Sequence, residues 1–400
     1  MMPGSPIVAV ADDLTGAAEI GALGYRFGLP SVIVSPGGRQ RADEAGLTVY
    51  DADSRLLSPE AAADAVLRTI APAAIEPETP VFKKVDSVLR GNVLIECEAL
   101  AAAAGRSRVL LVPANPAFGR TIRGGLYFVN GTPIHETVFA TDPYHPAKSS
   151  EVADLLGHSA GMTVRVAPPG AELPREAMIV GEAASTADVA HWAGRVDAST
   201  LPAGGAEFFA AWLQVLGCGG TPGSTQPELR APLLVVSGTT VPSSRKMLRL
   251  LYQHGVPVIP MADALAHPGA AGSVALQRWA EEIALALADR GVAVTLSPSH
   301  LSTAPGAGEA VRTVFAGLVK RLRALNAFSH LVVEGGATAA GIVRALGWTE
   351  MAVESEWGQG VVTLRPAGDP QARLTLKPGS YPWPAWWWER LAAGITTNRQ

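Results

Sequence analysis

The chain has 400 residues, 48% of them hydrophobic and 17% charged, with 42 Gly, 31 Pro and a net charge of −4. That length exceeds the size at which one hydrophobic core stops growing, so two domains of roughly 150–250 residues are expected. The composition excludes a disordered chain, and the scattered basic residues argue against a nucleic-acid partner. Two cysteines, Cys97 and Cys218, exclude a disulfide framework and a Cys-based zinc site. No run of 18 apolar residues suggests a membrane span, and no basic stretch with a long apolar core precedes the first strand, so a cytoplasmic protein without membrane partners is expected.

The first pattern is Ile7-Val-Ala-Val-Ala-Asp12-Asp13-Leu-Thr15-Gly16, followed by Ile20, Leu23, Gly24 and Phe27 at helical spacing. It predicts a strand, a loop and a helix. In open α/β sheets the loops at the carboxyl ends of parallel strands form the ligand crevice. A single Asp there is accounted for by helix capping; two adjacent carboxylates, Asp12 and Asp13, point to a site. Strands follow at 31–34, 47–50, 80–85 and 108–112. A helix opens at Ser58-Pro59, with Ser as N-cap and Pro at the first helical position, and another runs to Ala104. The strand ends collect Asp51, Asp53, Ser54 and Arg55, then Lys83, Lys84, Asp86, Ser87 and Arg90, then Asn115. The two lysines read as site cations, with a solvated strand end as the minor alternative. Residues 118–148 show no periodicity beyond a hairpin turn at Asn130-Gly131, which suits a lid or binding loop; Arg120 and Arg123 within it read either as solvated or as site cations. His135-Glu136 lacks the second His of a zinc protease. Strands at 162–166 and 177–180 and helices at 188–192 and 206–216 complete this half.

Residues 217–232 are rich in Gly, Pro, Ser and Thr and read as a linker, dividing the chain into 1–220 and 232–400. The second half repeats the alternation, with strands at 233–236, 256–260, 292–296 and 330–333 and helices from 243, at 273–290, at 308–325 and up to 346. Together the halves predict two doubly wound α/β domains with mostly parallel sheets flanking a ligand cleft. Two strand-to-helix turns, Ser237-Gly-Thr-Thr240 and Glu334-Gly-Gly-Ala-Thr338, leave N–H groups unpaired at a positive helix end, which suits phosphate; tight turns also use Gly for steric reasons alone. No Walker A loop occurs, and no G-x-G-x-x-G follows a strand, which counts against a dehydrogenase. A hairpin is expected from 361–364 and 374–381. Trp383, Trp386, Trp387 and Trp388 crowd the next stretch and read as core or dimer contact, which leaves a homodimer open.

Several of these stretches together resemble the four-carbon acid sugar kinase family, whose members phosphorylate threonate, erythronate or 3-oxo-tetronate with ATP. They are Ala11-Asp-Asp-Leu-Thr-Gly16, Asp51-Ala-Asp-Ser-Arg55, Lys83-Lys-Val-Asp-Ser-Val-Leu-Arg-Gly-Asn92, Pro113-Ala-Asn-Pro-Ala-Phe-Gly-Arg-Thr121, Asn130-Gly-Thr-Pro-Ile-His-Glu-Thr137, Ser237-Gly238, Gly335-Gly336 and Lys377-Pro-Gly379. The resemblance implies an acid-sugar domain at 1–220, a nucleotide domain at 232–400, and ATP with Mg²⁺ as cofactors. It implies that Asp13, Arg55, Lys84, Asp86, Ser87 and Arg90 bind the acid, and that Ser237, Gly335, Gly336, Ala337, Thr338 and Gly379 bind ATP. Where the family carries Gly-Gly-Glu-Thr or Gly-Gly-Asp-Thr this chain has Ala337, and its Lys377-Pro-Gly-Ser-Tyr-Pro382 replaces Lys-Ser-Gly-Asn-Phe-Gly. Glu334 is a candidate for the missing carboxylate. The expected chemistry is phosphoryl transfer: Asp13, with Asp12 or Asp86, orients and deprotonates the acceptor hydroxyl or holds Mg²⁺ through water, while Arg55, Lys84 or Arg90 grips the carboxylate. A family member that keeps the acid site and has lost catalysis, acting as a binding or regulatory protein, is the alternative.

Overall fold

The computed structural model describes residues 6–39, 46–73, 75–142, 144–157, 161–219, 227–238, 242–265, 269–289, 291–296, 307–379, 381, 383–384, 386–387 and 390. The chain separates into two compact units, Met1–Gly223 and Ser224–Gln400.

The first unit opens with β1 (Ile7–Ala11), α1 (Leu14–Arg26), β2 (Ser31–Val34), β3 (Leu47–Asp51), α2 (Pro59–Ile70), β4 (Val81–Lys84), α3 (Val93–Ala103) and β5 (Arg108–Val112). A small antiparallel sheet follows, made of β6 (Arg120–Arg123), β7 (Leu126–Val129) and β8 (Thr132–Pro133). The unit continues with α4 (Val152–Leu156), β9 (Val164–Ala167), β10 (Met178–Gly181), α5 (Thr186–Ala193), β11 (Thr200–Gly204) and α6 (Ala206–Val215). Its main strands run parallel in the order β2-β3-β1-β4-β11-β5-β10-β9. β1, β3 and β5 are buried along their whole length, which is why β1 and most of β5 read as continuous apolar runs rather than as alternating ones.

From β1 the chain builds first to one side, through β2 and β3, and then to the other, starting with β4. The order therefore reverses at β1, and in such sheets ligands bind outside the carboxyl strand ends at that point. Here Ala11 pairs with Asp51 on one side and with Lys84 on the other, so three polar strand ends stand side by side.

β11 is not among the strands the sequence predicts. Its Pro202 argues against a central strand, yet it lies between β4 and β5. A Cβ on Gly204 would stand 2.2 Å from the Val112 carbonyl oxygen; a close backbone approach, invisible in sequence, demands glycine there. The aperiodic stretch resolves into the β6–β8 sheet, turning at Asn130 (φ 52°) and Gly131 (φ 81°) as the Asn-Gly pair predicts. Bridges between Asn115 and Arg120 and between Ile122 and Ala183 fasten it to the parallel sheet.

The second unit comprises β12 (Leu233–Ser237), α7 (Pro242–Gln253), β13 (Val258–Pro260), α8 (Val274–Asp289), β14 (Val292–Thr295), α9 (Ala307–Ala324), β15 (His330–Glu334), α10 (Gly336–Leu346), β16 (Glu350–Gly358), β17 (Val361–Pro366) and β18 (Arg373–Lys377). The order is β13-β14-β12-β15-β18-β17-β16, parallel as far as β18 and antiparallel beyond. This sheet reverses at β12, placing Ser237 beside Glu334 and Glu334 beside Lys377. β16 was also absent from the expected strands, although alternate residues such as Met351, Val353, Ser355 and Trp357 point inward; a buried serine and glutamates on the other face dilute the apolar signal.

The Trp-rich stretch is core. Trp357 and Trp387 are buried against Leu233, Val235, Met247 and Leu251. The Trp383 and Trp387 rings stack at 4.4 Å, and Trp386 stacks on Trp357 at 5.3 Å. Trp388 and the Thr239-Thr240 pair lie outside the described residues. Among the described residues no helix is long and apolar enough to cross a membrane.

Candidate functional site

In the first unit the three strand ends carry a cluster of ion pairs. Asp13 caps α1 by accepting the Gly16 N–H at 2.8 Å and also accepts the Thr15 hydroxyl at 2.6 Å. The Arg55 guanidinium, delivered by the loop after β3, binds both acidic residues: Nε to Asp12 at 2.7 Å, Nη2 to Asp12 at 3.1 Å and Nη1 to Asp13 at 2.8 Å. Asp13 is therefore a cap and a member of the cluster at once. A Cβ on Gly16 would stand 2.8 Å from Asp13 Oδ1 and 3.5 Å from Lys84 Nζ, so a larger residue there would displace the Asp13 carboxylate.

Asp86, after β4, stands 3.8 Å from Arg55 and takes a two-pronged contact from Arg90 at 2.9 and 2.8 Å, while Arg90 Nη1 donates to Asp142 at 3.1 Å. Burial alone would raise Asp12 and Asp86. The guanidinium charges outweigh it, Arg55 holding Asp12 below the usual carboxylate range and Arg90 with Arg55 holding Asp86 well below it. Lys84 pairs with Glu19 of α1 at 3.4 Å and donates to the Val85 carbonyl at 2.9 Å. Lys83 is fully buried and pairs with Glu96 at 2.8 Å; burial would lower its pKa, and the Glu96 carboxylate raises it instead. Ser87 accepts a hydrogen bond from Arg120 at its hydroxyl and one from Tyr127 at its carbonyl.

The strand-end residues that the sequence predicts, Asp12, Asp13, Arg55, Lys84, Asp86, Ser87 and Arg90, thus come together. Their supports were not read from the sequence: Glu19, Glu96, Asp142, Tyr127, and His145, whose Nε2–H donates to the Arg55 carbonyl at 3.0 Å. Glu96 left a signal, a carboxylate inside the apolar run Val93-Leu-Ile-Glu-Cys97, and it also accepts the Ser54 hydroxyl at 2.9 Å.

Asp51 is buried at the end of β3 and accepts the Asp53 N–H at 2.9 Å. Burial first, and then the charges of Asp53, Asp13 and Asp12, push its carboxyl well above the usual range. A carboxyl raised in the folded state costs stability as pH climbs past its unfolded pKa near 3.9, because only the unfolded chain gains by releasing the proton. Asp51→Asn is therefore expected to raise Tm at pH 7–8 and to lose that advantage towards pH 4. A gain independent of pH would show that the acid is ionised in the folded chain.

In the second unit Ser237, Glu334 and Lys377 meet at the strand ends, all of them buried. Glu334 accepts the Ser237 hydroxyl at 2.9 Å and the Lys377 ammonium at 2.7 Å. Glu334 is thus committed to its neighbours and does not stand in for the carboxylate missing at Ala337, which is exposed. Gly335 adopts φ 109° and caps α10 without a side-chain hydrogen bond. The first N–H groups of the helix, on Gly336, Ala337 and Thr338, have no side-chain cap. Gly238 packs onto this turn so closely that a Cβ would stand 2.1 Å from Thr338 Oγ1. Gly379 follows β18, two residues beyond Lys377.

Residues 7–197 match the model of a sugar-binding N-terminal domain, and residues 234–381 match that of a nucleotide-binding C-terminal domain. The chain belongs to the four-carbon acid sugar kinase family. A D-threonate kinase of Salmonella typhimurium is 33% identical over 151 residues, 38% of this chain; the match spans 36% of that kinase's length. A 3-oxo-tetronate kinase of Brucella melitensis is 25% identical over 423 residues, 95% of this chain and 94% of that one. A solved Haemophilus influenzae structure shares the fold, with a TM-score of 0.73, 19% identity and coverage of 97% of this chain and 99% of the other. Within this family the charged cluster falls in the part matched as sugar-binding and the glycine turn in the part matched as nucleotide-binding.

Proposed function

We propose that this chain is an ATP-dependent kinase that phosphorylates a hydroxyl of a four-carbon sugar acid of the threonate, erythronate or 3-oxo-tetronate type. The observation that carries the reading is the charged cluster at the order reversal of the first unit, in a chain whose other half matches a nucleotide-binding model. Phosphoryl transfer asks little covalent help of a protein; it asks for an aligned hydroxyl, an acceptor for its proton and fixed charges around the transferring group. Asp13 is the group that takes the proton, with Asp12 beside it. Both are fixed by Arg55, whose fork holds the two carboxylates in one orientation. Lys84, Asp86, Ser87 and Arg90 line the acid.

The residues of the second unit fit a nucleotide. Gly335 leaves the helix end open and Gly238 brings its backbone close to Thr338; Gly336, Ala337 and Thr338 would hold the phosphates through main-chain N–H groups, while Ser237, Gly335, whose own N–H is taken by the Lys377 carbonyl, and Gly379 would wall the nucleotide. ATP with Mg²⁺ supplies the phosphoryl group and neutralises part of its charge. Among the described residues no group of three or more His, Cys, Asp or Glu stands at metal-holding spacing; Mg²⁺ typically keeps several waters and binds through one or two carboxylates plus substrate phosphates.

An ADP-release assay over D- and L-threonate, D- and L-erythronate and the 3-oxo-tetronates tests the proposal. Release is expected with ATP and Mg²⁺ for at least one acid, and calorimetry is expected to show ATP·Mg binding. A chain that binds a sugar acid but neither binds nor hydrolyses ATP would be a sensor rather than a kinase.

A further inference from the structure

The positive groups of the acid site are not equally available. Arg55 is shared by Asp12 and Asp13, and Arg90 by Asp86 and Asp142, so four carboxylates divide two guanidinium groups. Lys84 is matched by Glu19 and Lys83 by Glu96. The cluster therefore carries an excess of negative charge, and a substrate carboxylate placed against Arg55 or Arg90 would meet aspartates as well as guanidinium.

Arg120 differs. Among the described residues no carboxylate lies within ion-pair distance of it, and its side-chain partner is the neutral Ser87 hydroxyl. Its backbone is pinned, since Arg120 and Asn115 exchange N–H to carbonyl bonds at 3.0 and 2.8 Å. Ser87 is held in turn by the buried Tyr127 hydroxyl on its carbonyl. Ser87 follows Asp86 directly, so Arg120 stands at the edge of the cluster on a hairpin bonded through its backbone to Asn115.

We infer that Arg120, together with the Ser87 hydroxyl, grips the carboxylate of the sugar acid and selects acids over their uncharged analogues. This rests on the kinase reading above. The acid then lies with its hydroxyls towards Asp12 and Asp13, which accept hydrogen bonds, and its carboxylate towards Arg120, which pairs with no acid side chain among the described residues. Arg55 and Arg90 act as clamps that hold the aspartates.

Calorimetry on the full chain tests this, with D- and L-threonate, D- and L-erythronate, the 3-oxo-tetronates and the amide of each acid as probes. The parent is expected to bind at least one acid and to prefer it to its amide. Arg120→Gln is expected to weaken that acid by about 10- to 100-fold and to abolish the preference over the amide, with Tm retained. Arg120→Lys, which keeps the charge and loses the fork, is expected to fall between the two and serves in place of Arg120→Gln should that variant not fold. Arg123→Gln, on the same strand but exposed and stacked over Phe128, is expected to bind like the parent. Acid binding by Arg120→Gln within twofold of the parent, or an equal loss for acid and amide, would overturn the assignment while leaving the kinase reading in place. A parent that binds none of the acids overturns both.

Discussion

Asp13→Asn is expected to lower kcat by about 10²- to 10⁴-fold, the usual contribution of a positioned proton acceptor, with little change in fold. Asn can still accept the Gly16 N–H that Asp13 accepts at 2.8 Å, and it is as good an N-cap as Asp. Arg55 keeps its two contacts to Asp12, so the loop after β3 stays tethered. The substitution removes the charge and the basic oxygen and leaves the shape. A split between parameters is therefore expected: kcat collapses while acid binding, read by calorimetry, changes far less. A variant with near-normal kcat would remove Asp13 from the chemistry and leave it a helix cap.

The largest stability effect is expected in the second unit. Lys377 and Glu334 are fully buried and paired at 2.7 Å. Lys377→Met leaves the Glu334 carboxylate without its cation in an apolar sheet end, and breaking one side of such a pair costs about 3–5 kcal/mol. Replacing both residues, Lys377→Met with Glu334→Leu, is expected to recover most of that loss, because no uncompensated charge remains; the Ser237 hydroxyl then lacks its acceptor, at about 1 kcal/mol. Urea titration of the three proteins reads the difference. A single variant within about 1 kcal/mol of the parent would mean that water reaches the pair. ATP binding by the double variant further tests whether the pair also sets the Gly335 turn, whose N–H donates to the Lys377 carbonyl at 3.0 Å.

Much of the architecture could be read along the chain. Continuous runs such as Ile7-Val-Ala-Val-Ala and Leu233-Leu-Val-Val bury both faces and need no partner to be recognised as strands, and Ser58-Pro59 and Asn130-Gly131 carry their turn chemistry with them. β11 failed for the opposite reason. Its place is decided by the Gly204 backbone lying against Val112, a contact that no local pattern encodes.

The sequence by itself determined which residues stand at strand ends, because the alternation of apolar run and polar turn is local, and its motif strings located both site regions. Only the tertiary structure decided which charges are spent and which remain. Asp12 meets Arg55 across 43 positions, Arg90 meets Asp142 across 52, and Ser237 meets Glu334 across 97. Strand order sets those meetings and spacing does not. The difference between an engaged Arg55 and an unneutralised Arg120, or between an exposed Ala337 and a Glu334 committed to Lys377, arises because Coulomb interactions act through space over a few ångströms, whereas a sequence records only neighbours along the chain.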